Sequence, residues 1–261
     1  MQETQEQGSE FGQHAKKLAK EALLAAAYIP KIFCNCYHHL QKHSGAGKYR
    51  TLEETADEAL QKTRSQKLNL VCHSQGGLLG LLYVMEAPEK VSSYTTFGTP
   101  FKGTPAAYLS PLLLLLGLMP TSTMQLMPDS RFTRALREYF RQNNSEFEKQ
   151  GIQFRNIRAL YDEFVPYHSS ALKELLPTAG NIAEHTLKEG HLTVLHNKTS
   201  LEIIEDVLRK REPVIFIPGF VLNKGLFENL TKNMCYEKEI TYFLHYDYTH
   251  QLQMKTRCDK K

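Results

Sequence analysis

Ser74, Asp162 and His191 are the three residue types that together make a serine hydroxyl reactive, and each follows a stretch with strand character. A serine hydroxyl is a poor nucleophile near neutral pH. A base must take its proton, and a carboxylate must orient and polarise that base. The serine's setting is the most informative. Leu68-Asn69-Leu70-Val71-Cys72 is apolar and β-prone, it runs into His73-Ser74-Gln75-Gly76-Gly77, and an apolar helical stretch from Leu78 to Met85 follows. Strand, serine, small residues and helix form the layout of a nucleophile elbow. The sharp turn lifts the hydroxyl clear of the backbone and aims the first N–H groups of the helix at it. Backbone strain at the turn demands small neighbours, which Gly76 and Gly77 supply. The common form of the motif is Gly-x-Ser-x-Gly; here Cys72, still a small residue, takes the first glycine's place.

Asp162 sits in Tyr161-Asp162-Glu163-Phe164-Val165-Pro166, just past an expected strand over residues 154–160. His191 sits in the turn Glu189-Gly190-His191-Leu192, just past an expected strand over 182–187, with His168, His185 and His196 as nearby competitors. Both lie at the carboxyl ends of strands, the rim on which open parallel sheets build their sites. A tetrahedral intermediate also needs two N–H donors, and the residue after the nucleophile, Gln75, is placed to give one.

The elements that must position these residues alternate. A helix is expected over 52–63, then the 68–72 strand, its helix, and a strand over 91–97 ending in Gly98-Thr99-Pro100. Residues 105–150 read as a long insertion, leucine-rich at 111–120 and with a charged helix over 131–141. An amphipathic helix is expected over 200–210. Residues 212–250 then give a buried-type strand ending in Ile217-Pro218-Gly219-Phe220, a helix over 226–235 and a strand over 240–246. Ahead of all this, residues 1–46 read as a helical extension, with Phe11, Ala15, Leu18, Ala22, Ala26 and Ile29 at helical spacing. Strands alternating with helices imply an α/β class with a mostly parallel sheet covered on both faces. At 261 residues the chain fits one such domain.

Charged residues at 23% and hydrophobic residues at 41% are ordinary for a globular domain. A net charge of +4 is compatible with peripheral contact at an anionic membrane surface and too small to imply nucleic-acid binding. Five cysteines, an odd number in no framework spacing, favour a reducing compartment. Cys34-Asn35-Cys36 near His38, His39 and His43 fits no familiar zinc spacing, so no metal is expected. The N-terminus lacks a basic-then-apolar leader and no apolar run is long enough to cross a bilayer. The expected location is therefore the cytoplasm or the exterior by a non-classical route.

Four stretches resemble the bacterial triacylglycerol lipase/esterase branch of the α/β-hydrolase superfamily. They are Val71-Cys72-His73-Ser74-Gln75-Gly76-Gly77, Thr95-Thr96-Phe97-Gly98-Thr99-Pro100-Phe101-Lys102-Gly103-Thr104-Pro105, Asp162-Glu163-Phe164-Val165-Pro166 and Gly190-His191-Leu192. The resemblance implies an α/β-hydrolase fold, with Ser74 as nucleophile, Asp162 as the orienting carboxylate and His191 as base. It implies a mobile lid within 106–150, and a second oxyanion donor in Phe220 N–H, where Pro218 replaces the family's histidine. It implies cleavage of lipid or acylglycerol esters through an acyl-enzyme, without a cofactor. Some members hold a structural calcium, for which no clear site is seen. The same residues would serve an acyltransferase with an alcohol acceptor, and a copy that had lost its chemistry would remain a membrane- or partner-binding module.

In the family the oxyanion loop precedes the serine, whereas here Pro218-Gly219-Phe220 follows it. Two explanations stand open: a circular permutation, in which residues 212–250 supply strands that normally come first, or a second, truncated unit starting near residue 212. Permutation is favoured. Without those strands one edge of the nucleophile strand lies bare, and Arg209-Lys210-Arg211-Glu212 is a short link of the kind folds prefer.

Overall fold

The computed structural model describes residues 51–109, 122–175, 177, 179–219, 227, 230–231 and 240–244. The expected extension over 1–46, the leucine-rich run, Phe220 and nearly all of the 226–235 helix lie outside them.

Helix α1 (Leu52–Thr63) opens with a complete capping box, Thr51 and Glu54 each satisfying the other's main-chain N–H. Strand β1 (Leu68–His73) is buried along its whole length, which explains its continuous apolar run. Helix α2 (Gln75–Glu86) follows after the single residue Ser74, and strand β2 (Val91–Phe97) comes next. After the short helix α3 (Ser122–Gln125) comes α4 (Arg131–Lys149), then β3 (Gln153–Ala159), β4 (Ile182–Leu187), α5 (Lys198–Leu208), β5 (Val214–Ile217) and β6 (Thr241–Phe243).

The strands form one sheet in the order β4-β3-β2-β1-β5-β6, and every adjacent pair is parallel. The last two strands in the chain therefore lie on the far side of β1 from β2. Cys72 registers with Ile217, so β5 ends one residue short of the end of β1 and two short of Ser74. A polar chain ties β2 to β1 and β1 to the lead-in of β5: Ser93 Oγ donates to Asn69 Oδ1 at 2.6 Å, and Asn69 Nδ2 donates to Glu212 Oε2 at 3.0 Å.

Alternate residues of the strands point to two cores, as the pleat requires. Leu70, Cys72, Tyr94 and Phe154 pack with α1, α2 and α4 on one face. Val71, Phe97, Ile157 and Phe216 pack with α5 and Phe227 on the other. Helix α4 runs eight residues past the expected end at 141. Polar Gln142 to Glu146 obscure the period in the sequence, yet Phe140, Asn144 and Phe147 keep one buried face. Phe140 meets the edge of Phe154 with ring centroids 5.2 Å apart, so this half of the 106–150 insertion is part of the core.

Candidate active site

Ser74 occupies the turn between β1 and α2 with φ 53° and ψ −129°. That backbone region costs a non-glycine residue on the order of 1–3 kcal/mol and persists only where surrounding structure enforces it. The enforcement is visible. Ser74 N–H donates to Phe97 O at 2.9 Å and Ser74 O accepts from Gly77 N–H at 2.9 Å. The glycines around it are forced by close packing. A Cβ on Gly76 would strike the carbonyl oxygens of Ile217 and Pro218, and one on Gly77 would fall onto the side chain of Thr99. A Cβ on Gly219 would come within 2.7 Å of Ser74 Cβ. The serine turn and the exit of β5 are thus shaped to each other's backbone. Cys72 fits the same scheme, since its sulfur lies 2.6 Å from where a Cβ on Gly80 would be. Burial pushes the Cys72 thiol far above its usual pKa, so it packs as a neutral apolar group.

Asp162 and His191 are brought together. His191 Nδ1 lies 2.7 Å from Asp162 Oδ2, with 8% of the histidine side chain and 1% of the aspartate side chain exposed. The other carboxylate oxygen accepts from the N–H groups of Phe164 at 2.9 Å and Val165 at 2.6 Å, which locks the carboxylate plane. The two loops are joined by an extension of the β3–β4 pairing: Leu160 N–H donates to Leu187 O and Tyr161 N–H to Glu189 O. Glu189 also accepts from Thr193 Oγ1 and Asn197 Nδ2, fixing the His191 turn to the start of α5. The pair lies over the end of β2. Gly98, at φ 56°, passes so close that a Cβ there would sit 3.1 Å from Asp162 Oδ2 and 3.2 Å from His191 Nδ1.

Gln75 is the first residue of α2, so its main-chain N–H is one of the amides a helix cannot satisfy internally. Its side chain is fully buried. The expected second donor, Phe220, lies outside the described residues; Gly219, its neighbour, borders Ser74. Of the competing histidines, His185 is exposed on β4 and His168 lies in the loop beyond Pro166, its ring against Tyr167.

Sequence reasoning overlooked three contributors. Gly98 was legible only as the end of a strand, and its role appears once Asp162 and His191 are folded over it. Glu163 accepts His191 N–H at 3.1 Å. His73 is fully buried, its ring centroid 4.6 Å from that of His191, and its Nε2 lies 2.8 Å from His191 O. Burial, reinforced by the neighbouring His191, pushes His73 down to about 3, so its imidazole is neutral. Among the described residues no group of three or more His, Cys, Asp or Glu could hold a metal ion, and no helix is long and apolar enough to cross a membrane.

A parallel sheet covered on both faces, with a serine at a strained strand-to-helix turn and an Asp–His pair over the end of the neighbouring strand, defines the α/β-hydrolase fold, and this chain carries it. A family model described as alpha/beta hydrolase fold matches residues 34–123. Over 58 residues the chain is 40% identical to triacylglycerol lipases of Pseudarthrobacter phenanthrenivorans and Burkholderia plantarii. Those 58 residues are 22% of this chain and cover 18% and 16% of the two lipases. Among solved structures, a lipase of Bacillus licheniformis is similar at TM-score 0.43 and 14% identity, over 61% of this chain and 75% of that one. A monoacylglycerol lipase of Paleococcus ferrophilus is similar at TM-score 0.39 and 16% identity, over 62% and 77%.

Proposed function

We propose that this chain is a serine carboxylic ester hydrolase of lipase type that acts on acyl esters of lipids or acylglycerols. Ser74 Oγ attacks the ester carbonyl while His191 takes its proton through Nε2. Asp162 holds the opposite ring nitrogen and stabilises the imidazolium. The N–H groups of Gln75 and Phe220 bind the oxyanion; His191 then protonates the departing alkoxide, and water releases the acid from the acyl-enzyme. The observation that carries this reading is the 2.7 Å contact between two almost fully buried side chains, His191 and Asp162. Burial of a carboxylate on this scale is costly unless it is paired, so the pair reads as a built device and not a surface accident. The likeness to named triacylglycerol lipases supports an acyl ester as substrate.

The same reading takes the chain order as permuted. Its support is the fit between Gly76 and the carbonyls of Ile217 and Pro218, because a strand starting a separate unit has no reason to match the serine turn at van der Waals distance. The test is a fluorophosphonate probe followed by identification of the modified peptide, together with turnover of p-nitrophenyl esters of increasing chain length. Label on Ser74, and loss of turnover by several orders of magnitude in Ser74→Ala, is the expected result. Full activity in Ser74→Ala sinks the proposal. Adding glycerol and analysing products separates hydrolysis from acyl transfer to an alcohol.

A further inference from the structure

His191 is held by more than the carboxylate on its ring. Its main-chain N–H donates to Glu163 Oε2 at 3.1 Å, and its main-chain carbonyl lies 2.8 Å from His73 Nε2. A carbonyl oxygen can only accept, so His73 carries its proton on Nε2. Its bare Nδ1 lies 3.1 Å from where a Cβ on Gly219 would be. The two partners are the residue immediately before Ser74 and the residue immediately after Asp162. His73 reaches its acceptor across 118 positions of sequence. A fully buried imidazole gains nothing there that an apolar ring would not give, except the hydrogen bond itself.

We propose that His73 and Glu163 are positioning residues that clamp the main chain of His191 at its two polar ends, so that the ring's placement is set from the serine strand and from the aspartate loop at once. The inference rests on the reading of His191 as the base. Fixing the backbone leaves the imidazole only its side-chain torsions, and Asp162 on Nδ1 restricts those. A clamp of this kind raises the fraction of time spent in attack geometry without touching the substrate. It therefore acts on kcat and leaves KM alone.

The experiment uses the full chain with a soluble short-chain p-nitrophenyl ester, counting competent sites by exhaustive fluorophosphonate labelling so that misfolded protein drops out of the denominator. His73→Phe and Glu163→Ala are expected to lower kcat per labelled site on the order of 10-fold or more, with KM unchanged. His73→Gln, which offers an amide N–H, and Glu163→Gln, which keeps an acceptor, recover most of the loss. The double variant falls by less than the product of the single effects, because both act through one residue. Glu163 is exposed, so Glu163→Ala carries the test if His73→Phe does not fold. Wild-type kcat per site in Glu163→Ala, or a loss that the Gln variants do not recover, overturns the clamp. Absence of label on Ser74 in the unaltered protein overturns the hydrolase reading itself, which is a different result.

Discussion

At the scale of single residues, the site is built as much by what is missing as by what is present. Gly98 has no side chain because the Asp162–His191 pair occupies that space, and its positive φ disfavours any other residue. Gly98→Ala is expected to lower ester turnover about 100-fold, since a methyl 3.1 Å from Asp162 Oδ2 must displace the carboxylate or the ring. Circular dichroism of the variant should stay close to that of the parent. Unchanged turnover would mean that the pair has room to move and is not held in one geometry. The residues that could do the chemistry were legible because their types are few and their places, just past strand ends, are set by local patterns. Gly98, Glu163 and His73 were not, since each owes its role to a partner that the chain brings near only on folding. His73 in particular addresses a main-chain carbonyl, and every residue has one, so no pattern of side chains marks it.

At the scale of elements, α4 shows where pattern reading stops. Its charged surface and polar C-terminal half suggest a detachable cover, while Leu136, Phe140 and Phe147 are buried in the core and the two phenylalanines pack on Phe154 of β3. The three phenylalanine rings at positions 140, 147 and 154 all meet one another within 6 Å as the structure gives them, at 5.2, 5.9 and 5.9 Å. Phe140→Ala is expected to cost about 3–5 kcal/mol in urea unfolding, the range for truncating a buried phenylalanine. A loss under 1 kcal/mol would show that the helix is docked only loosely. The six strands were legible to within a few residues at most of their ends, because apolar β-rich runs bounded by turns admit few other readings. Their order was not, apart from the inference that β5 and β6 must cover the bare edge of β1.

At the scale of the molecule, His73 makes stability depend on acid. Its folded pKa is lowered to about 3 by burial, against an ordinary value of 6.5. Between those values the unfolded chain binds a proton that the folded chain refuses, so stability falls as pH drops through that window. The slope is at most about 1.4 kcal/mol per pH unit from this group. Other groups titrate too, so the comparison is with His73→Gln: the stability difference between the two proteins should change in favour of the variant from pH 6 to pH 4. Parallel curves would remove His73 as the cause. A second consequence follows from the order of synthesis. β1 waits for a neighbour that pairs Asn69 with Glu212 across 143 positions, and the bend that abuts Ser74 comes later still. A growing chain therefore carries Ser74, Asp162 and His191 before the segment that abuts the serine turn has been made, and the surroundings of Ser74 close only once residues 212–219 have joined the sheet.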